Sequence, residues 1–285
     1  MADNHPRDDR TDVTRNSGIP SPDPDTTRIL AYNVRYDFGD VEPRSWNHRR
    51  DVVAETVADY EPDVVAFQEV WMEQLEELQA RLPTFEWVTP DEGNEHAVLA
   101  YRADRYDCLT AGSKWLSGPE TAPGVPGWDS DYQKRFVYAR LADSVTDTAF
   151  VVFSVHLPVS GERAPRKAME FIRETLTDVS RDEPAIVAGD FNTQPGESVY
   201  ELGRQTREEY RDLAYASEKT ITTYGPEITF TGFPNVDEEP MNIDHVLVSP
   251  AVAVERTATV IPDAETDSFK PSDHRPILAD VRFES

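Results

Sequence analysis

The chain has 285 residues and a mass of 32.2 kDa, enough to bury a substantial core in one large domain. Its composition is 38% hydrophobic, 10% aromatic and 29% charged, which excludes collagen, coiled coil and wholesale disorder. The net charge is −26, and no apolar run approaches the roughly 18–20 residues of a membrane span.

The N-terminal residues contain no hydrophobic periodicity and are rich in Asp, Pro, Thr, Asn and Arg. We therefore predict a disordered segment over residues 1–27, followed by a single domain over residues 28–285. The polar, acidic N-terminus lacks the basic-then-apolar order of a signal peptide, which predicts a cytoplasmic location without membrane attachment. The single cysteine, Cys108, excludes an internal disulfide and argues against a cysteine-based metal site.

From Arg28 onward, apolar runs of strand length alternate with amphipathic stretches. The predicted strands are 29–34, 64–67, 97–101, 136–141, 150–157, 185–188, 243–248, 252–261 and 276–283. Apolar residues at helical spacing predict helices over 46–60, 71–82 and 166–179. The chain begins as β-α-β-α and ends in strands, a pattern that predicts an α/β fold with a mixed sheet, or two stacked sheets, flanked by helices.

The positive charge is carried almost wholly by arginine. Lysine occurs only at positions 114, 134, 167, 219 and 270. Many carboxylates with few lysines suit a protein adapted to concentrated salt, because the Debye length of about 3 Å in molar salt weakens self-repulsion. We infer a halophilic source, in which case the net charge says little about the substrate.

Polar residues cluster at the ends of six predicted strands. Four clusters follow strands: Asn33, Gln68-Glu69, His156 and Gly189-Asp190-Phe191-Asn192. Two precede strands: Asn242-Ile243-Asp244-His245 and Ser272-Asp273-His274. If the last two strands run antiparallel to the first four, all six clusters reach one rim and form one site.

The chemistry of these clusters indicates a cation-assisted reaction at phosphorus. The set contains the carboxylates Glu69, Asp190, Asp244 and Asp273 and the amides Asn33 and Asn192. Hard oxygen donors with few imidazoles favour Mg²⁺ or Mn²⁺ over zinc. Crowded carboxylates repel one another unless a cation or a histidinium lies between them. A phosphate ester in this site would meet a metal, amides and histidines, which suits in-line attack by water.

Six short motifs run in the order NVR, DVVAFQEV, VHLP, GDFNTQP, IDHVLVS and SDHRP. In this order they resemble the endonuclease/exonuclease/phosphatase superfamily, over about residues 28–283. That family includes pancreatic deoxyribonuclease, abasic-site endonucleases, inositol-polyphosphate phosphatases, neutral sphingomyelinases and deadenylases. The residues around Trp46, Arg49, Trp115 and Gly127-Trp128 further resemble a poorly characterised bacterial and archaeal branch. The resemblance implies a four-layer α/β sandwich of two stacked mixed β-sheets flanked by helices.

The resemblance also implies the metal site. Glu69 resembles the principal metal ligand, with Asn33 beside it. Asp273 resembles a further ligand or an acidic neighbour of the metal. The implied cofactor is Mg²⁺ or Mn²⁺.

The same resemblance implies the catalytic residues. Asp190 resembles the group that orients or deprotonates the attacking water, and Asn192 the amide that holds a phosphoryl oxygen. His274 resembles the imidazole on the scissile phosphate, with its tautomer held by Asp244. His156 resembles a second phosphate-binding imidazole or a general acid.

Several residues near these motifs keep two interpretations. Glu95 is a candidate carboxylate partner of His156, and Arg135 either meets an anionic substrate or neutralises a neighbouring acid. His245 is either a substrate contact or a packed residue, and packing is favoured. After His156 the chain reads LPVSGERAPRK, where the related branch usually has an aspartate-histidine pair, so the substrate side of the pocket departs from the family pattern.

The sequence thus predicts a Mg²⁺- or Mn²⁺-dependent phosphoesterase that hydrolyses a phosphodiester or phosphomonoester. A nuclease acting on DNA or RNA is the alternative, but basic clusters are few, at 44–50, 134–135 and 163–167, which favours small substrates or short strands. A non-catalytic binding protein with this fold is the alternative of another class, although none of its expected site residues is missing. The predicted partner is a phosphate-ester substrate, with no membrane and no protein partner inferred.

Overall fold

The computed structural model describes residues 18–37, 39–90, 97–118, 124–180 and 182–284. The strands are β1 (Thr27–Asn33), β2 (Val64–Gln68), β3 (Phe85–Val88), β4 (Ala97–Arg102), β5 (Tyr106–Trp115), β6 (Arg135–Asp143), β7 (Thr148–His156), β8 (Ala185–Asp190), β9 (Ala214–Tyr215), β10 (Thr223–Tyr224), β11 (Asp244–Val248), β12 (Val252–Thr259) and β13 (Ile277–Phe283). The helices are α1 (Trp46–Tyr60), α2 (Met72–Arg81), α3 (Ala164–Ser180), α4 (Ser198–Arg204) and α5 (Ala216–Lys219).

The strands form two mixed sheets. One has seven strands in the order β10-β12-β13-β1-β2-β4-β3, and the other has six in the order β5-β6-β7-β8-β11-β9. One apolar cluster lies between the two sheets. A second cluster lies under α1 and α2, and a third under α3 and α4. The layers are therefore helix, sheet, sheet and helix, and the predicted four-layer α/β sandwich is confirmed.

The central strands are buried on both faces. In β1, Ile29 and Ala31 point into the cluster between the sheets, whereas Leu30 and Tyr32 point toward α1 and α2. Side chains alternate between the faces of a strand, so a strand covered on both faces needs apolar residues at nearly every position. This explains why the sequence shows continuous apolar runs instead of a polar–apolar alternation.

Strand direction brings the six polar clusters together. β1 is parallel to β2, and β7 is parallel to β8. β13 runs antiparallel to β1, and β11 runs antiparallel to β8. The carboxyl ends of β1, β2, β7 and β8 therefore share one edge of the sandwich with the amino ends of β11 and β13. This is the antiparallel arrangement on which the prediction of a single site depends.

The structure adds elements that periodicity does not predict. β3 and β5 lie at the outer edges of the two sheets, and much of β5 is exposed, so its sequence YDCLTAGSKW lacks a buried apolar pattern. The first helix matches its predicted bounds, and α3 begins two residues before its predicted start at residue 166. In the parts of the chain that the structure describes, no helix combines the length and apolar character needed to cross a membrane.

The last residues of the predicted N-terminal segment lie within the described part of the chain. The predicted disordered segment lies mostly outside the described residues, which begin at Gly18, and it remains a prediction. Ile19 is buried against the cluster beneath α1 and α2, and the Pro20 carbonyl accepts a hydrogen bond from Arg28. β1 then begins at Thr27.

Candidate active site

The predicted site residues form one group at the shared edge of the two sheets, and all but Glu69 and Asn192 are buried. Asn33, His156 and Asp190 end β1, β7 and β8, and Asp244 begins β11. The others lie in the adjoining loops: Glu69 directly after β2, Asn192 after β8, and Asp273 and His274 before β13.

Asp190 lies at the centre of this group. Its Oδ2 atom accepts a hydrogen bond from Asn33 Nδ2 at 3.0 Å, which joins the two sheets across the site. The same oxygen lies 3.5 Å from His156 Nε2 and 3.8 Å from His274 Nε2. Its Oδ1 atom accepts the backbone N–H of Asn192 at 2.9 Å. Asp190 therefore contacts residues from four of the six clusters.

His274 lies between two carboxylates. Its Nδ1 atom is 2.9 Å from Asp244 Oδ2, and its Nε2 atom faces Asp190. Burial alone would lower the pKa of His274, but the nearby carboxylates, Asp244 foremost, raise it to about 10. The imidazole is therefore protonated at neutral pH and presents an N–H toward the centre of the site.

Asp190 lies in an environment that disfavours its charged form. Burial and the negative charge of Asp244 raise the pKa of Asp190 to about 7, although the charge of His274 opposes this shift. A carboxyl group with a pKa near neutrality can accept a proton during a reaction and release it again.

Glu69 and Asp273 form the second acidic part of the site. The Tyr36 N–H donates to Glu69 Oε2 at 3.1 Å, and Arg35 Nη1 lies 3.8 Å from Asp273 Oδ2. Burial raises the pKa of Asp273, and the charge of Glu69 adds to the rise. Burial also acts to raise the pKa of Glu69, but Lys134 and Arg35 outweigh it, so that pKa is lowered.

His156 lies between the acidic residues and a lysine. Its Nε2 atom is 4.0 Å from Glu69 Oε1 and 2.8 Å from Lys134 Nζ. Glu95, the candidate partner of His156, lies outside the described residues. The described contacts of His156 are instead with Glu69, Asp190 and Lys134.

Asn192 connects the loops that follow β7 and β8. It has a φ of 47°, in the left-handed region that asparagine tolerates. Its Nδ2 atom donates to the Leu157 carbonyl at 2.9 Å, which leaves the second amide hydrogen for another acceptor. Its predicted contact with a phosphoryl oxygen remains a prediction.

The donor chemistry fits a divalent cation in two arrangements. Ligand atoms of Asp190, Asp244 and His274 all lie within 4.8 Å of one another. In this group the Nδ1 atom of His274 is already paired with Asp244 Oδ2 at 2.9 Å, which leaves only the imidazole Nε2 as a softer nitrogen donor. Glu69 and Asp273 instead offer carboxylate oxygens, from a partly buried and a buried side chain respectively. Asn33 adds an amide oxygen that already accepts the Arg35 N–H but has a second lone pair. This second set suits Mg²⁺ or Mn²⁺ better.

Beyond this geometry, a model of the Endonuclease/Exonuclease/phosphatase family matches residues 30–274. The chain belongs to this family. A solved endonuclease/exonuclease/phosphatase structure from Bacteroides vulgatus is 30% identical, with a TM-score of 0.84, over 91% of this chain and 99% of that one. A mannosyl-6-phosphatase from Bacteroides thetaiotaomicron is 27% identical, with a TM-score of 0.78, over 90% of this chain and 100% of that one.

A viral protein also resembles this family member in sequence. The uncharacterized protein L388 of Acanthamoeba polyphaga mimivirus is 27% identical over 161 residues, which make up 52% of this chain. The match covers 59% of the length of that curated relative.

Three residues support the site without belonging to the predicted set. Thr229 Oγ1 accepts the backbone N–H groups of Ile243 and Asp244, both at 3.1 Å. The buried Arg49 guanidinium donates to the Val34 and Pro271 carbonyls, at 2.7 and 2.8 Å, and so ties the loop after β1 to the loop before Asp273. Lys134 approaches His156 from the start of β6.

The sequence contains only weak signals for these contacts. Thr229 lies in the alternating run ITFTGF just before the NIDH cluster, and Lys134 lies in one of the few basic clusters. Neither pattern indicates which distant residue would be the partner, because each contact depends on how the sheets stack.

The structure shows the surroundings of two residues for which the sequence left two interpretations. His245 is buried, its Nε2 atom is 2.9 Å from the Thr193 carbonyl, and its ring makes an edge contact with Tyr200. This agrees with the favoured interpretation that His245 is a packed residue. Arg135 is also buried, with its guanidinium 4.2 Å from the centre of the Trp115 ring and its Nη2 atom donating to Ser113.

Proposed function

We propose that the chain is a divalent-metal-dependent hydrolase that cleaves small phosphate esters. Members of its family are hydrolases of phosphate esters. The observation that carries the proposal is the contact of Asp190 with Asn33, His156 and His274 in one buried group. Glu69 and Asp273 complete the group on its other side, with Arg35 between them.

The reaction is an in-line displacement at phosphorus. The water oxygen forms a bond to phosphorus, the bond from phosphorus to the ester oxygen breaks, and Asp190 accepts the proton that the water loses. His274 donates a hydrogen bond to a phosphoryl oxygen, and Asp244 keeps it protonated and oriented. The departing oxygen takes a proton from His156, whose Nε2 atom lies 2.8 Å from Lys134 Nζ.

A divalent cation held by Glu69 and Asp273, with Asn33 beside them, would neutralise charge on the phosphate and polarise its oxygens. This role is assigned to the two carboxylates because both lie at the shared edge of the sheets and offer the hard oxygen atoms that such a cation prefers. Arg35 and Lys134 balance part of the same charge in the protein.

Small substrates suit the distribution of basic residues. Nucleases that act on long DNA need a basic groove, whereas this sequence has few basic clusters, at 44–50, 134–135 and 163–167. The similar mannosyl-6-phosphatase from Bacteroides thetaiotaomicron is named for a small sugar phosphate. These observations favour a small ester over a nucleic-acid strand.

The proposal is tested with a panel of phosphomonoesters, phosphodiesters, and single-stranded and duplex DNA and RNA. Each is assayed with Mg²⁺ or Mn²⁺, at low and at molar KCl. We expect turnover of small esters that requires the cation. Glu69→Gln and His274→Ala should each lower kcat at least about 100-fold while the thermal unfolding midpoint stays near that of the wild type.

Matched substitutions outside the site serve as controls. Glu73→Gln lies in the first turn of α2, and His48→Ala removes an exposed imidazole of α1, so both should keep wild-type rates. Near-wild-type activity in Glu69→Gln or His274→Ala would overturn the proposal. Cleavage of strands but of no small ester would favour the nuclease alternative, and binding without turnover would favour a binding protein.

A further inference from the structure

A cleft beside the candidate active site has features of a subsite for the substrate. It has a volume of about 460 Å³ and is lined by Arg35, Tyr36, Glu69, Trp71, Tyr132, Gln133, Lys134 and Val159. We call it the aromatic cleft. We propose that it binds the leaving group of the phosphate ester and selects leaving groups that carry a ring. This inference rests on the proposed function and specifies its substrate class.

The wall of the aromatic cleft contains two stacked rings. The rings of Tyr36 and Trp71 have centroids 5.7 Å apart and planes only 17° apart. Each is half-buried, so part of its surface faces the cleft. A rigid aromatic pair presents a large apolar surface at little cost in conformational entropy, which suits contact with the face of another ring.

The rim of the aromatic cleft is unusually apolar for this protein. Tyr132 is 64% exposed and Val159 is 65% exposed, and both line the same cleft. Large apolar side chains that gather in one exposed place mark a binding surface, whereas isolated ones need no explanation. These two come from different loops, one before β6 and one after β7, and they meet only because of the fold.

The inner end of the aromatic cleft is cationic and adjoins the reacting groups. The Arg35 guanidinium lies 4.6 Å from the centre of the Tyr36 ring, and Lys134 Nζ lies 2.8 Å from His156 Nε2. Glu69 belongs both to the acidic group and to the lining of the cleft. A phosphate beside Glu69 and His156 would therefore be attracted by both cations, and its organic part would lie against Tyr36, Trp71 and Tyr132.

The size of the cleft restricts the leaving group to a compact one. Sites for small molecules enclose roughly 300–1,000 Å³, and this cleft falls in the lower half of that range. A nucleobase stacks its flat face on an aromatic side chain, and a sugar ring packs the C–H groups of one face against it, whereas an acyclic alcohol has no ring face to pack. The shared chemistry of the substrate is thus a phosphate on an alcohol that carries a ring.

The test compares kcat/KM for a hexose 6-phosphate, a nucleoside 5′-monophosphate and glycerol 3-phosphate, whose leaving group has no ring. We expect the wild type to prefer at least one ring ester by about tenfold or more, because only a ring can pack its face against the aromatic side chains of the cleft. Tyr132→Ala and Trp71→Leu should reduce that preference at least about fivefold, mainly through KM. Tyr132→Phe and Trp71→Phe should restore it.

The controls separate this inference from the proposed function. Ile221→Ala removes an exposed apolar side chain far along the chain from the cleft and should leave the preference unchanged. Because Tyr132 is exposed, its variants retain the fold even if the Trp71 variants do not. Loss confined to the nucleotide would identify a base as the ring, and loss confined to the hexose phosphate would identify a sugar.

Two results would overturn the inference. If the wild type hydrolyses small esters with no preference for a ring, or if Tyr132→Ala keeps the full preference, the aromatic cleft does not select the leaving group and the proposed function still stands. If no phosphate ester is hydrolysed with either cation, the proposed function fails and the inference fails with it.

Discussion

Three residues at the candidate active site have left-handed backbone conformations. Arg35 and Glu69 have φ angles of 59° and 60°, values that such residues adopt rarely, whereas the φ of 47° at Asn192 is one that asparagine tolerates. The conformations of Arg35 and Glu69 each cost on the order of 1–3 kcal/mol and persist only where surrounding contacts hold them. Here the Glu69 carboxylate accepts the Tyr36 N–H, and the Asn192 N–H donates to Asp190. The strain coincides with the residues that orient the acidic group.

A glycine at the end of β8 allows the two sheet strands to approach beside the site. A Cβ atom on Gly189 would lie 2.0 Å from the Val155 carbonyl oxygen, and the φ of Gly189 is +148°. We expect Gly189→Ala to lower the free energy of unfolding by at least about 1–3 kcal/mol, because β7 and β8 must separate. Activity should also fall, since His156 and Asp190 pair across these strands. Urea unfolding and initial rates measure both effects.

Gly196→Ala is the matched control for this substitution. Gly196 has a φ of +90°, but no heavy atom lies within 4 Å of the Cβ position, so the change adds backbone strain without a clash. If Gly189→Ala proves as stable and as active as Gly196→Ala, the close approach of the strands is not what requires glycine.

At the scale of elements, the two sheets are joined at both ends. The site forms one end, where Asn33 bonds Asp190 and Gln68 Nε2 donates to Ser154 Oγ at 3.1 Å. At the opposite edge, Arg105 donates to Asp143 at the end of β6 and to Asp63 just before β2. These polar links determine how one sheet is oriented on the other. The apolar contacts between the sheets have no preferred direction and therefore do not specify this orientation.

The link at the opposite edge predicts a pH-dependent stability. Burial acts to raise the pKa of Asp143, but the Arg105 hydrogen bonds and the Val145 N–H outweigh it, so the folded-state pKa lies below the ordinary 3.8. The stability from this group is therefore fully present above about pH 4 and is lost as the pH falls through the lowered pKa. Asp143→Asn should cost about 1–3 kcal/mol at pH 7 and progressively less below pH 4.

Urea unfolding of both proteins at pH 7, 5 and 3 measures this difference. Asp147→Asn is the control, because Asp147 is exposed and has a φ of 58° that asparagine also tolerates. A cost for Asp143→Asn that does not change with pH would contradict the assigned role of the carboxylate charge.

For the whole molecule, charge is the dominant property. The chain carries 54 acidic and 28 basic residues, an imbalance that produces strong self-repulsion in dilute salt. Several arginines pair with surface carboxylates, as Arg204 does with Glu201 at 2.9 Å, but such exposed pairs add little stability. The proposed halophilic source would supply the screening that this surface needs.

We expect salt to stabilise the protein. The thermal unfolding midpoint should rise between about 0.05 M and 2 M KCl, because the Debye length falls from more than 10 Å to below about 3 Å. NaCl at equal ionic strength should act similarly if screening is the cause. Full stability at the lowest KCl concentration would exclude the halophilic interpretation.

The sequence by itself determined the local elements and the residue types of the site. The α1 helix has its predicted bounds, and every predicted site residue occurs at or near a strand end. Both were predictable because burial gives helices and strands a hydrophobic period that can be read from neighbouring residues. The motif order then indicated the family and the implied roles. The edge strands β3 and β5 were not predicted, because exposed strands carry little apolar pattern.

Only the tertiary structure decided which distant residues meet. It brought Lys134 to His156, Thr229 to the backbone of Asp244, and Tyr132 to the cleft that Trp71 lines. These contacts depend on strand order and on how one sheet lies against the other. Hydrophobic periodicity records only whether a side chain is buried, and therefore carries no information about its partner across the site.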